Sequence, residues 1–184
     1  VQMESAAGDK EANFRKVARL TEEAAARGAE VVVCPECCLT GYWFLRRLTV
    51  PQLEALAEPV PEGPSCARLL DLAVEHRVTV GAGLLEASGH GVFHNTYVVA
   101  MPDGQIVRHR KIHAFEHPAV RPGDEHTVFD TPHGFRAAVL ICYDNNVLEN
   151  VRIAALRGAE VLLAPHQTGG CRTTNPHLMG VIER

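Results

Sequence analysis

Apolar positions fall at two different spacings along this chain. Between Asp9 and Arg27 the residues Phe14, Val17, Ala18, Thr21, Ala24 and Ala25 recur every three or four positions, which predicts one face of a helix. Asp9 and Glu11 suit its first turn, and Gly28 suits the position just past its end. Glu30–Cys34 is a β-branched run closed by Pro35-Glu36, a buried strand ending in an acid. Trp43 to Pro64 is broken by Pro51, Pro59, Pro61 and Gly63, a surface excursion with a short helix over Gln52–Ala57. Ser65 is placed to cap a helix running to about Arg77, and Val78–Leu84 reads as another buried strand. Gly89-His90-Gly91 makes a turn. Phe93–Met101 and Gln105–Arg108 form a hairpin about Pro102-Asp103-Gly104. Arg110 to His133 has no clear period and is expected to be an ordered loop. Val1-Gln2-Met3 is expected to be the tail of a first strand.

The most informative stretch follows. Phe135–Ile141 is an apolar strand that stops at Cys142, and a helical pattern resumes from about Val147 to Arg157, with Asn145 or Asn146 as its cap. A nucleophile-capable residue then sits at a strand's carboxyl end, where open α/β sheets bind ligands. The helix N-terminus beyond it favours thiolate over thiol. Taken alone, the stretch is equally consistent with a buried, inert cysteine. Arg27-Gly28-Ala29-Glu30-Val31 recurs as Arg157-Gly158-Ala159-Glu160-Val161, each time between a helix and a strand that ends in proline. Two such units imply a layered α/β architecture with helices outside paired sheets.

Composition narrows the class. At 184 residues and 46% hydrophobic content, the chain can build one sizeable core, so a single domain over residues 1–184 is expected. A net charge of −4 offers no basic surface for nucleic acid, and no apolar run reaches the roughly 20 residues of a membrane helix. With no signal-peptide pattern at Val1-Gln2-Met3-Glu4, the expectation is a cytoplasmic protein. The six cysteines are expected to be reduced thiols.

Three strand ends carry reactive side chains: Glu36, Lys111 and Cys142. If they share one rim, the carboxylate and ammonium solve each other's burial problem. They also serve the thiol, one by taking its proton and the other by stabilising the anion. The segments Pro35-Glu36-Cys37-Cys38-Leu39-Thr40-Gly41-Tyr42, His109-Arg110-Lys111-Ile112-His113-Ala114-Phe115 and Ile141-Cys142-Tyr143-Asp144 resemble, in order and spacing, the three signature blocks of the carbon–nitrogen hydrolase (nitrilase) superfamily. The resemblance implies a four-layer α-β-β-α sandwich and a Glu–Lys–Cys catalytic set at Glu36, Lys111 and Cys142. It also implies a second glutamate, matched by Glu116 ahead of Pro122-Gly123-Asp124.

The mechanism so implied makes Glu36 the base for Cys142. Lys111 and the Tyr143 backbone N–H hold the oxyanion, a donor of this kind being worth about 3–4 kcal/mol. A thioester is then hydrolysed by water held by Glu36 and Glu116. No metal or organic cofactor is required. Superfamily members acting on nitriles usually follow the nucleophile with Trp-Glu. Tyr143-Asp144 is closer to the amidase and carbamoylase branches, so a small-molecule amide or N-carbamoyl substrate is expected, with nitriles as the alternative. His166 holds the place in the second repeat that Glu36 holds in the first, so His166 or Gln167 is expected to line the pocket. The resemblance also implies a homodimer or larger homo-oligomer.

Three rivals compete with this reading. Cys34-Pro35-Glu36-Cys37 has redox or zinc spacing but lacks a second ligand pair, and Cys171 stands alone. A Cys142–His dyad would leave Glu36 and Lys111 unexplained. A silent relative acting in assembly is the third. The resemblance implies a longer chain, and Thr168–Arg184 contains no strand-like run, so the sandwich is expected to be incomplete at its C-terminus.

Overall fold

Asp9 opens the first helix: its side chain accepts the Ala12 N–H at 2.9 Å, and α1 runs over Lys10–Ala26 with Phe14, Val17 and Thr21 buried. The computed structural model describes residues 1–167. β1 (Val31–Val33) follows, then α2 (Val50–Leu56), α3 (Pro64–His76), β2 (Thr79–Gly89), β3 (Val92–Ala100) and β4 (Ile106–Arg110). β5 (Val128–Asp130), β6 (Arg136–Val139), α4 (Leu148–Leu156) and β7 (Val161–Leu163) complete the described chain.

Two sheets result. The first has the order β1-β2-β3-β4, with β1 parallel to β2 and the next two pairings antiparallel. The second has the order β5-β6-β7, with β7 parallel to β6 across the α4 connection. Side chains alternate along β3: Val98 and Ala100 pack with Phe14, Val17, Leu69 and Leu72 of the helices. Tyr97 and Val99 turn the other way, onto Val139, Ile141 and Leu163 of the second sheet. Helices, sheet, sheet and helix therefore stack as a four-layer sandwich.

The sequence repeat is real structure. After α1, the Gly28 N–H bonds Ala25 O at 2.9 Å and the Ala29 N–H bonds Ala24 O at 3.1 Å, a Schellman ending with Gly28 at φ 85°. After α4, Gly158 and Ala159 repeat the pattern on Ala155 and Ala154 at 2.9 and 3.1 Å, with Gly158 at φ 87°. Each ending aims the chain into a strand that pairs in parallel.

Several local expectations need correction. Val1–Met3 is no strand, although the Val1 nitrogen donates to Val33 O at 3.0 Å. Gly63, not Ser65, precedes α3, because Pro64 opens the helix; the Ser65 N–H and hydroxyl are taken by Glu58. The loop after Lys111 contains β5, too short to show a period. α4 begins after Val147 with no side-chain cap; the Asn145 amide bonds Leu140 O and Cys142 O instead. The expectations for Cys171 and Thr168–Arg184 lie outside the described residues. Among the described residues no helix is long and apolar enough to cross a membrane.

Candidate active site

Glu36 sits in the turn after β1, pressed against β2. The Cys34 and Leu39 N–H groups bond Gly81 O and Gly83 O at 2.9 and 3.0 Å, straddling it. Gly83 permits this approach, since a Cβ there would stand 2.3 Å from the Cys37 nitrogen. Lys111 leaves β4 with its N–H on Asn95 O at 2.8 Å and its carbonyl accepting the Gly123 N–H at 2.7 Å. Cys142 lies three residues past β6. Its N–H bonds Pro165 O at 2.9 Å, and a 3₁₀ turn over Cys142–Asn146 follows. Its φ of 51° is left-handed, a conformation that costs a non-glycine residue about 1–2 kcal/mol and that recurs at functional turns.

The structure brings Glu36, Lys111 and Glu116 together. Lys111 Nζ donates to Glu36 Oε1 at 2.7 Å and to Glu116 Oε1 at 2.5 Å, and all three residues are buried. Asn95, on β3, completes the cluster: its Nδ2 donates to the same two oxygens at 2.7 and 2.8 Å. The Phe115 N–H holds Glu116 Oε2 at 3.0 Å, while Glu36 Oε2 has no hydrogen-bond partner among the described residues.

Cys142 feels the charges of this group. Burial pushes its thiol up to about 11, the Glu36 carboxylate adds to the rise, and Lys111 and the Gln167 backbone N–H oppose it. Burial also raises the Glu36 carboxyl against the pull of Lys111. For Lys111 burial works toward deprotonation, but the two glutamates outweigh it and hold the ammonium well above its usual value. The Cys142 thiol is thus neutral at rest, beside the Lys111 ammonium. The expectation that a helix end favours the thiolate is corrected: α4 starts six residues beyond Cys142, and burial dominates. His166 reaches the same group, lowered first by burial and then by the Lys111 charge. Gln167 meets the sulfur through its backbone.

Asp144 ties the Cys142 turn to the Lys111 segment. Fully buried, it accepts the Ile112 and His113 N–H groups at 3.0 and 2.8 Å and contacts His113 Nδ1 at 2.9 Å. Aromatic rings flank the group: Phe115 lies edge-on to Tyr143 at 5.8 Å and over Lys111 Nζ at 4.4 Å, with the Tyr42 ring at 5.6 Å from the same nitrogen. Cys34 and Cys37 cannot act as one redox or zinc pair in this arrangement, because Cys34 packs beneath the helices and Cys37 in a separate cluster with Leu45 and Phe93. Sequence reasoning missed Asn95. The available signal was a polar side chain on the same strand face as Tyr97 and Val99.

The carbon–nitrogen hydrolase family model matches residues 1–182. A nitrilase of Pyrococcus abyssi is 38% identical over 169 residues, covering 90% of this chain and 62% of the relative. Omega-amidase NIT2-B of Xenopus laevis is 34% identical over 184 residues, covering 94% and 63%. The chain thus spans about 62–63% of the length of these curated relatives. Among solved structures, Nit3 of Saccharomyces cerevisiae, a member of branch 10 of the nitrilase superfamily, superposes with a TM-score of 0.79 at 27% identity, over 92% of this chain and 64% of that one. An amidase of Nesterenkonia AN1, at 22% identity and a TM-score of 0.76 over 94% and 66%, shares the fold.

Proposed function

This chain belongs to the carbon–nitrogen hydrolase family, and from that premise we propose that Cys142 is the nucleophile of a hydrolase acting on small-molecule amide or N-carbamoyl substrates. The observation that carries the reading is Lys111 held between Glu36 and Glu116, with a thiol close enough for Glu36 to raise it. Glu36 takes the thiol proton through its unpartnered Oε2 as sulfur attacks the carbonyl carbon. The oxyanion is met by the Lys111 ammonium and by the N–H of Tyr143, the second residue of the 3₁₀ turn over Cys142–Asn146, whose first N–H groups have no partner within it. As the tetrahedral adduct collapses, the C–N bond breaks, Glu36 returns the proton to nitrogen, and ammonia or an amine leaves a thioester. Water then attacks the thioester, giving its proton to Glu36. The acid departs and sulfur recovers its proton. Glu116 keeps Lys111 charged and in place throughout.

Because the resting thiol is neutral, deprotonation is coupled to attack and follows the arrival of substrate. His166 and Gln167 line the acyl side of the pocket in this reading, and Phe115 and Tyr143 form its apolar lip. Assembly as a homodimer or larger belongs to the same proposal and is read by sedimentation. Incubation with simple amides and N-carbamoyl amino acids should release ammonia and add an acyl mass to the Cys142 peptide. Cys142→Ala should abolish both. A folded wild-type protein that forms no adduct with amide, carbamoyl or nitrile substrates overturns the reading and favours a silent, assembly-forming role.

A further inference from the structure

Resting on the reading that Glu36 takes the Cys142 proton, we propose that Asn95 is a positioning residue of this reaction. Its amide clamps the Glu36 and Glu116 carboxylates at a fixed separation and leaves Glu36 Oε2 as the only carboxylate oxygen of the pair open to a proton. A primary amide nitrogen has two hydrogens to give. Asn95 spends one on Glu36 Oε1 at 2.7 Å and the other on Glu116 Oε1 at 2.8 Å. Lys111 Nζ donates to the same two oxygens at 2.7 and 2.5 Å, so each Oε1 already holds two donors. Glu116 Oε2 is occupied by the Phe115 N–H at 3.0 Å. Of the four carboxylate oxygens, only Glu36 Oε2 has no partner among the described residues.

The amide cannot turn over. Flipping it would set Oδ1 against two carboxylates, and in the observed orientation Oδ1 accepts from the Cys37 thiol at 3.3 Å. Cys37 stays a donor because burial pushes its thiol well above the usual range. The Asn95 carbonyl also receives the Lys111 N–H at 2.8 Å, so one buried residue of β3 touches Glu36, Glu116 and the Lys111 backbone at once. A neutral double donor suits this place. It separates two acids without adding a third, and its hydrogen bond to Glu36 favours that acid's ionised form.

The test compares wild type with Asn95→Asp and Asn95→Ala. The introduced aspartyl carboxyl, if charged, repels both glutamates; if neutral, it can donate to only one. Either way Glu36 holds its proton more tightly. The acid limb of kcat/KM should move to higher pH by about one unit or more. In both variants kcat at neutral pH should fall at least about tenfold, with KM changed less than about threefold, since Asn95 is buried with its amide engaged by Glu36, Glu116 and Cys37. An unmoved acid limb, or unchanged kcat, overturns the assignment. A second measurement needs no variant. In ¹⁵N-labelled wild type both Asn95 side-chain NH₂ signals should shift as the Glu36 carboxyl titrates, and signals that stay flat through that range overturn the clamp. Turnover is not needed for the titration. Absence of a Cys142 adduct therefore counts against the hydrolytic reading alone, while the amide signals judge Asn95 separately.

Discussion

Replacing Lys111 by Met should destabilise the protein by an amount that depends strongly on pH. The substitution removes a buried ammonium bonded to two carboxylates and leaves Glu36 and Glu116 sharing only the Asn95 amide. Breaking a buried pair in this way costs about 3–5 kcal/mol. The variant can limit the loss by protonating one glutamate. Holding a carboxyl with an ordinary value of about 4.3 neutral at pH 7 costs about 3.5 kcal/mol, and at pH 5 only about 1 kcal/mol. The sign follows from linkage: the variant's folded-state carboxyl lies above its unfolded value. Its stability contribution is therefore fully present below about pH 4.3 and lost as pH rises through the folded value. Urea unfolding of both proteins should show a gap of about 3–4 kcal/mol at pH 7 that shrinks to about 1–2 kcal/mol at pH 5. A gap below about 1 kcal/mol at pH 7, or one of equal size at both pH values, would refute the picture of a cation holding two buried anions.

Other outcomes follow from the same geometry. Gly83→Ala would set a methyl 2.3 Å from the Cys37 nitrogen and 3.0 Å from the Glu36 carbonyl carbon, both backbone atoms. It should cost about 1–3 kcal/mol in thermal unfolding and lower amide turnover more than about tenfold, since Glu36 has to move. Burial lowers His109 to about 4, and its Nε2 has no partner among the described residues. Its folded value lies below the ordinary 6.5, so the neutral form contributes stability that is lost as pH falls from 6.5 toward 4. His109→Leu should flatten about 3 kcal/mol of that decline, measured by urea unfolding across the window. Alkylation of Cys142, followed by peptide mass, should rise with a midpoint near 11. A midpoint below about 8 would show that the resting thiol is activated after all. Cys34, Cys37, Cys38 and Cys66 should stay unlabelled until the protein unfolds.

Much of the site was legible because strand ends are legible. Glu36 and Cys142 each follow a β-branched or apolar run, Lys111 directly follows the second strand of a hairpin, and such strands end at the sheet's rim. The Arg-Gly-Ala-Glu-Val repeat was readable for a related reason: a glycine in the left-handed region just past a helix dictates a specific pair of backbone bonds, and both copies make them. Asn95 was harder to see, because its importance lies in partners 59 and 21 residues away that no local period reveals. The Asp144 contacts with Ile112 and His113 are non-local in the same way. Start signals also competed: Pro64 began a helix where Ser65 was expected to, and Asn145 preferred nearby carbonyls to a capping position. The neutral resting thiol was illegible for another reason, since the balance of burial against nearby charge depends on depth, which no spacing encodes.

Cys37 and Cys142 share a backbone conformation that glycine tolerates far better, with φ of 47° and 51°. At Cys37 the buried thiol packs in the core and bonds Asn95 Oδ1, so glycine there would forfeit both. At Cys142 the conformation offers a practical handle. Glycine relieves about 1–2 kcal/mol of backbone strain, which offsets the lost packing. Cys142→Gly should therefore melt no lower than Cys142→Ala, giving crystallographers a sturdy host without the proposed nucleophile in which to look for a bound amide.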